Sequence, residues 1–213
     1  MAKDAKSAFC EDSRVKFPTL MHLMGMGFKY VSLKGLKTKY VEAPKTEFDP
    51  TNILTDYFTD AYCTLNPKAE KKDAEDMLVK IQKSLQNDDL GRQFYNEILL
   101  NTGERIIDLS SPANFYRNNT FQVTTEMTCG SKDSDNYRPD ITIFVNGLPL
   151  AFIEVKKENN HKGIQAETDR MKQRFVNPQY RRFLNITQIM VFSNDMEYDN
   201  NEVTPTIGAF YAT

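Results

Sequence analysis

Several residue types that mark common kinds of functional site are scarce in this sequence. It contains only two histidines, so we expect neither a histidine-based metal centre nor a histidine-dependent catalytic triad. Its three cysteines, Cys10, Cys63 and Cys129, are widely spaced and form no Cys-x-x-Cys pair. We therefore expect reduced thiols, as in a cytoplasmic protein, and neither a disulfide framework nor a zinc site.

Long apolar runs and a phosphate-binding glycine motif are also missing. The first six residues, Met-Ala-Lys-Asp-Ala-Lys, contain no signal-peptide core. No run approaches the roughly 18 apolar residues of a membrane span. The sequence has no Gly-x-x-x-x-Gly-Lys-Ser/Thr, so we expect no ATP-driven motor within the chain. These absences predict a cytoplasmic protein that does not associate with membranes.

Acidic side chains are in only slight excess over basic ones. The chain has 27 basic and 29 acidic side chains, which gives a net charge of −2. Attraction to nucleic acid would therefore need local basic patches or the charge of a partner. With 213 residues, of which 40% are hydrophobic, the chain can bury one sizeable core.

The pattern of apolar residues divides the chain into two parts. Residues 1–110 are predicted to be mainly helical, with helices at 11–26, 51–63, 68–86 and 90–100 and a short strand at 29–33. Residues 111–213 are predicted to contain strands at 121–128, 141–145, 148–155, 186–192 and 206–211, and helices at 163–175 and after Asn177. We expect an α/β (α+β) fold in which helices flank a mixed sheet and the helical portion packs on the core, as one compact domain.

Charged residues stand at the ends of two apolar runs in the second part. Asp140 follows Pro139 and lies fourteen residues before Glu154, which is followed by Val155 and Lys156. A Pro-Asp pair alone is common in turns, and Glu-Val-Lys alone is usual on a solvated strand. Together, beside buried strands, they indicate a site, because charges there are costly unless they are paired.

Two carboxylates and an amine at this spacing favour the hydrolysis of a phosphodiester bond. Mg²⁺ prefers oxygen ligands and keeps several waters, so one or two carboxylates suffice to hold it. Asp140 and Glu154 are the predicted metal ligands, with the backbone carbonyl of Val155 as a third. Lys156 lies on the same strand face as Glu154, where its ammonium would orient the attacking water or stabilise the transition state.

The register of the hairpin between the two strands provides a check. With regular pairing around a two-residue Asn146-Gly147 loop, Asp140 faces away from Glu154. An odd-length loop, or a bulge near Pro149, shifts the pairing by one residue and brings both carboxylates to one face. We therefore predict one of these two irregularities.

The segment from Arg138 to Lys157 resembles a known family signature. It reads Arg-Pro-Asp, an apolar strand, Asn-Gly-Leu-Pro-Leu, a second apolar strand and Glu-x-Lys-Lys. This segment, with Glu126 and the strand before it, is similar to the N-terminal nuclease domain of the R (restriction) subunit of type I restriction-modification enzymes, in the PD-(D/E)xK superfamily. The resemblance is specific over residues 117–158, weaker to about residue 198 and loose over the first hundred residues.

This resemblance implies a restriction-endonuclease-like core that cleaves double-stranded DNA with Mg²⁺, and it gives Asp140, Glu154 and Lys156 the catalytic roles. It also implies that the chain is part of a longer subunit whose translocase domains use ATP. The implied partners are the modification subunit and the specificity subunit, the second of which reads the DNA sequence.

The helix after the motif departs from the family pattern Gln-x-x-x-Tyr. Where the pattern has tyrosine, Asp169 follows Gln165 and Asn177 follows Gln173, and a third register places Met171 and Phe175 at the two positions. We retain Gln165 as a candidate accessory catalytic group; the alternative is a surface glutamine. The basic residues Arg170, Lys172 and Arg174 are candidate DNA contacts, and the alternative for each is a solvated helix face.

Three functional hypotheses remain. The leading one is an endonuclease domain of a type I restriction subunit. The second is a non-catalytic DNA-binding or subunit-docking module that retains the nuclease fold. The third is a helical scaffold in which the motif is a coincidence, and it predicts that Asp140, Glu154 and Lys156 do not converge in space.

Overall fold

A five-stranded mixed sheet forms the centre of the protein. The computed structural model describes residues 15–33, 51–101, 103–129, 137–156 and 163–193. The strands lie side by side in chain order: β1 (Lys29–Tyr30), β2 (Phe121–Thr125), β3 (Ile141–Val145), β4 (Leu148–Val155) and β5 (Ile189–Ser193). The two outer pairs are parallel, whereas β2, β3 and β4 are antiparallel. The predicted α/β (α+β) class with a mixed sheet is confirmed.

Helices precede and follow the strands along the chain. The α-helices are α1 (Phe17–Gly25), α2 (Thr55–Leu65), α3 (Lys71–Ser84), α4 (Pro112–Asn118), α5 (Gly163–Phe175) and α6 (Arg181–Ile186). A π-helix spans Phe94–Leu99, and a 3-10 turn spans Pro178–Tyr180. None of the helices in the described ranges combines the length and the apolar character that a membrane crossing requires.

Several element boundaries differ from the predictions for local backbone reasons. The strand predicted at 121–128 ends at Thr125 because Glu126 has a φ of 52°, which breaks the extended conformation. The helix predicted at 90–100 begins later because Leu90 and Gly91 both have positive φ. The strand predicted at 186–192 begins only at Ile189, after α6, and the strand predicted at 206–211 lies outside the described residues.

Hydrophobic side chains fill both faces of the sheet. On one face, Val145 and Leu148 pack in one cluster with residues of α2, α3 and the π-helix, among them Phe58, Ile81 and Phe94. On the other face, Phe144 and Phe152 join a second cluster with residues such as Tyr137, Met171, Phe183 and Met190. Residues on both sides of position 110 therefore contribute to one hydrophobic cluster, while the organisation of the whole chain as one compact domain stays a prediction.

Of the two irregularities that the sequence predicts, the β3–β4 hairpin contains the bulge near Pro149 and not an odd-length loop. Ile141 pairs with Ile153 and the regular register continues to Ile143, after which the pairing shifts. Phe144 pairs with Pro149, so Leu150 is the extra residue on β4. As a result Asp140, just before β3, lies opposite Glu154 at the end of β4.

The Asn146-Gly147 turn is buried, although such turns usually face solvent. The Asn146 amide donates to the carbonyl of Ile106 at 2.9 Å, and its Oδ1 accepts from the Thr120 N–H at 2.8 Å. The Gly147 carbonyl accepts from the Leu54 N–H at 2.8 Å. The turn therefore fastens the hairpin to the start of α2 and to the loop before α4.

Gly147→Ala is expected to lower the free energy of unfolding by roughly 2–4 kcal/mol. Gly147 has a φ of 76°, and an added Cβ would lie 2.5 Å from the Leu54 carbonyl oxygen, so both backbone strain and a clash oppose the change. Urea unfolding followed by circular dichroism measures the effect. Gly25→Ala is the control, because a Cβ there meets nothing within 4 Å. Equal stabilities of the two variants would contradict the prediction.

Candidate active site

The ends of β2, β3 and β4 bring acidic groups together at one edge of the sheet. Asp140 Oδ2 accepts a hydrogen bond of 3.0 Å from the N–H of Val155, which holds the carboxylate against the end of β4. The Glu126 N–H donates to the Asp140 carbonyl at 3.2 Å, which ties the end of β2 to the same place. Asp140 is therefore fixed by main-chain contacts on both sides.

Glu154 is an almost fully buried carboxyl group on the same face. Only 5% of the residue is exposed, and its Oε1 forms no hydrogen bond of standard geometry within the described part of the chain. Burial, and then the negative charge of Asp140, raise the pKa of Glu154 to about 8, although the Tyr137 hydroxyl is close enough to act in the opposite direction. A buried acceptor that lacks a well-formed hydrogen bond is rare in proteins and needs an explanation. Binding of a cation would supply one, because it would compensate the charge and occupy the free oxygen.

Lys156 extends from the end of β4 toward α5. Its main-chain N–H donates to the Ser193 carbonyl at 2.8 Å, so the backbone remains paired with β5 beyond the last residue of β4. Its Nζ lies 3.6 Å from Oε2 of Glu167, a carboxylate on α5 that is buried. Asp140 and Glu154 therefore lie opposite each other and Lys156 directly follows the same strand, an arrangement that the hypothesis of a coincidental motif does not predict.

Two charged groups beside Asp140 were not predicted as site residues. Lys16, just before α1, places its Nζ 2.8 Å from Glu126 Oε1 and 3.3 Å from Asp140 Oδ1. Glu126 entered the sequence analysis only through the family resemblance. Its φ of 52° is uncommon for a residue other than glycine, and such strain often lies near functional sites. No sequence pattern indicates Lys16, because its partners are more than a hundred residues away.

Glu167 was also missed, but the sequence holds a signal for it. It precedes the buried Met171 by one helical turn, so it lies on the apolar face of α5. A carboxylate on that face is unusual and indicates a buried ionic partner. The helical spacing alone could therefore have selected Glu167 for closer attention.

The accessory residues predicted on α5 differ in their surroundings. Gln165 lies within α5, but its side chain is outside the described part of the structure, so its role stays a prediction. Arg170 and Lys172 are exposed, and each forms an ion pair on its own helix, at 2.9 Å and 3.1 Å. Arg174 bonds to Glu167 at 2.9 Å and stacks over the Tyr137 ring at 4.0 Å. Contact of these three residues with DNA stays a prediction.

The oxygen atoms at the end of the hairpin suit a hard divalent cation. Asp140 and Glu154 supply two carboxylates, and the Val155 carbonyl stays a predicted third ligand. No group of three or more His, Cys, Asp or Glu residues in the described ranges is arranged for a metal ion. Mg²⁺, which needs few protein ligands and keeps its waters, fits this small donor set better than an ion that requires a complete protein cage.

Glu154→Gln is expected to stabilise the metal-free protein at about pH 8.5. The folded-state pKa of Glu154, about 8, lies above its ordinary value of 4.5, so the folded state retains the proton between these values. Stability is therefore fully present below about pH 4.5 and is lost as the pH rises through about 8. Glutamine carries no charge to bury, so the substitution removes a loss on the order of 5 kcal/mol, since one pKa unit corresponds to about 1.4 kcal/mol.

Urea unfolding without divalent ions, at about pH 5 and about pH 8.5, checks this expectation. Glu104→Gln is the control, because the Glu104 side chain is half exposed and lies in an ion pair with Lys80. The same dependence of stability on pH in the parent and in Glu154→Gln would contradict it.

A comparison of the chain with known protein families agrees with the resemblance of its motif. The family model described as Type I restriction enzyme R protein N terminus (HSDR_N) matches residues 9–203. No curated protein matches the chain at a significant level. The family match covers both the helical first part and the sheet, and it includes the whole segment from Asp140 to Lys156. The chain therefore belongs to the family of N-terminal regions of type I restriction enzyme R proteins.

Proposed function

We propose that the chain is a Mg²⁺-dependent endonuclease domain that hydrolyses phosphodiester bonds of double-stranded DNA. One observation carries this proposal: the bulged hairpin brings Asp140 and Glu154 to one face, with the Glu154 carboxyl group almost fully buried. Burying the Glu154 carboxyl group lowers the stability of the fold unless a ligand binds to it. Membership of a restriction enzyme family supports the same reading.

Each side chain has a distinct part in the proposed reaction. Asp140 and Glu154 would hold the ion, and the Val155 N–H orients Asp140 for this purpose. When bound, Mg²⁺ supplies positive charge beside the phosphate and lowers the pKa of a coordinated water. Lys156 would direct its ammonium at that water, or at the charge that develops on the phosphate oxygens. Because the pKa of Glu154 is about 8, ion binding must displace a proton and should strengthen as the pH rises.

The charge of the chain indicates how DNA would reach this site. A net charge of −2 provides no general attraction to phosphate, and Arg170 and Lys172 form ion pairs with acids on their own helix. We therefore infer that the modification and specificity subunits, together with ATP-driven domains outside this chain, deliver the DNA. The cytoplasmic location expected from the sequence is part of the same proposal.

Asp140→Ala and Lys156→Ala are each expected to abolish Mg²⁺-dependent nicking of plasmid DNA. The first removes a metal ligand, and the second removes the ammonium, which we expect to cost at least 100-fold in rate. Gel analysis of supercoiled plasmid measures the reaction. Lys80→Ala is the matched control, because Lys80 lies on α3, is exposed and is paired with Glu104.

The result also separates the proposed nuclease from the docking alternative. Cleavage that both substitutions abolish supports the nuclease. If the parent does not cleave DNA but binds Mn²⁺ in calorimetry, and Asp140→Ala loses that binding, the site is formed but needs its partners. A chain that neither cleaves DNA nor binds metal would favour the non-catalytic DNA-binding or docking module.

Lys16→Met is expected to strengthen binding of Mn²⁺ about threefold to tenfold. The Lys16 ammonium lies 3.3 Å from Asp140 Oδ1 and competes with a cation for that oxygen. Isothermal calorimetry measures the affinity, with Lys80→Met as a control for the loss of one positive charge. Weaker binding in Lys16→Met would mean that Lys16 supports the metal site instead of competing with it.

A further inference from the structure

Glu167 is a buried carboxylate that the proposed chemistry does not yet use. Only 3% of its side chain is exposed, and it lies near three cations, Arg170, Arg174 and Lys156. Burying such a charge is costly, and an apolar residue of similar size is often at least as stabilising. Stability alone therefore does not account for a glutamate at this position. The contacts of Glu167 with its three cations indicate its role.

The two arginines fix the orientation of the Glu167 carboxylate. Arg174 Nη1 donates to Oε1, and Arg170 Nη1 donates to Oε2, both at 2.9 Å. Arg174 is itself held over the ring of Tyr137, which is buried and packs edge-on against Phe152. Each carboxylate oxygen thus has its own donor, and rotation of the group would break one of these bonds.

Lys156 is the cation that joins Glu167 to the sheet. Both arginines belong to α5, so their pairs with Glu167 hold this helix to itself, whereas Lys156 extends from the end of β4. The distance of 3.6 Å between Lys156 Nζ and Glu167 Oε2 is that of an ion pair. A lysine stem has four rotatable carbons, so an ammonium needs a fixed counter-charge to remain in one position.

We propose that Glu167 is a positioning residue that holds the Lys156 ammonium in place at the end of β4, two residues beyond Glu154. Its importance for cleavage rests on the proposed nuclease function, but the position of Lys156 can be tested without it. Because Glu167 supplies this counter-charge from the helix side, the ammonium has an anionic partner that is not one of the proposed metal ligands. Under the proposed function, Asp140 and Glu154 would then remain available to a metal ion.

The test compares Glu167→Gln, which keeps the shape and removes the charge, with Glu167→Asp, which keeps the charge on a shorter side chain. Asp169→Asn is the control, because Asp169 is an exposed acid on the same helix. Lysines are labelled by reductive ¹³C-methylation, and the Lys156 signal is assigned by its loss in Lys156→Arg. Single-turnover cleavage at saturating DNA and the half-saturating Mg²⁺ concentration are measured in parallel, and circular dichroism checks folding.

In Glu167→Gln we expect the Lys156 methyl signal to shift and the cleavage rate to fall about tenfold, while half-saturating Mg²⁺ changes less than about threefold. Glu167→Asp should recover part of the rate, and Asp169→Asn should change neither measurement. An unchanged Lys156 signal would overturn the proposal, and so would a shifted signal with an unchanged rate. If the parent does not cleave DNA, that result bears on the nuclease function alone, and the Lys156 signal decides whether Glu167 positions the ammonium.

Discussion

One extra residue in β4 determines the geometry of the candidate site. Leu150 has no partner on β3, so the pairing beyond it is shifted by one and Asp140 lies opposite Glu154. Without this bulge the two carboxylates would face opposite sides of the sheet. The buried Asn146-Gly147 turn fixes the hairpin next to the bulge, since its amide and carbonyl groups bond to the loops before α2 and α4. The precision of the site therefore depends on packing at the far end of the hairpin.

The site carries a cost that the rest of the fold must offset. Glu154 is buried close to Asp140, and burial raises its pKa to about 8, so the folded chain holds a proton there that an exposed glutamate would release. Aromatic packing surrounds this position, with the rings of Tyr137, Phe152 and Phe183 in mutual contact. Such packing stabilises the end of the sheet where burial of the two carboxyl groups lowers stability. Functional sites often reduce the stability of a fold in this way, and packing elsewhere compensates.

The sequence predicted those features that depend on local pattern. The mixed sheet, the bulge near Pro149 and the convergence of Asp140 with Glu154 all follow from strand alternation combined with a chemical requirement. Side chains that meet only through tertiary packing were missed. Lys16 reaches Glu126 across 110 residues of sequence, and no local pattern reports such a contact. Strand and helix ends were misplaced where positive φ, as at Glu126, interrupts an otherwise regular pattern.

Charge pairing around the site has a consequence for the way in which a nuclease of this kind would be controlled. Lys16 and Lys156 both lie against carboxylates, and the exposed Arg170 and Lys172 pair with acids on α5. Fields from such pairs fall off within about a Debye length of 10 Å, so they attract distant phosphate only weakly. Under the proposed function, DNA would be held at the site mainly after other subunits had placed it there. A site that is built in advance but has little attraction for free DNA would cut where it is delivered, which is the restraint that a restriction enzyme needs.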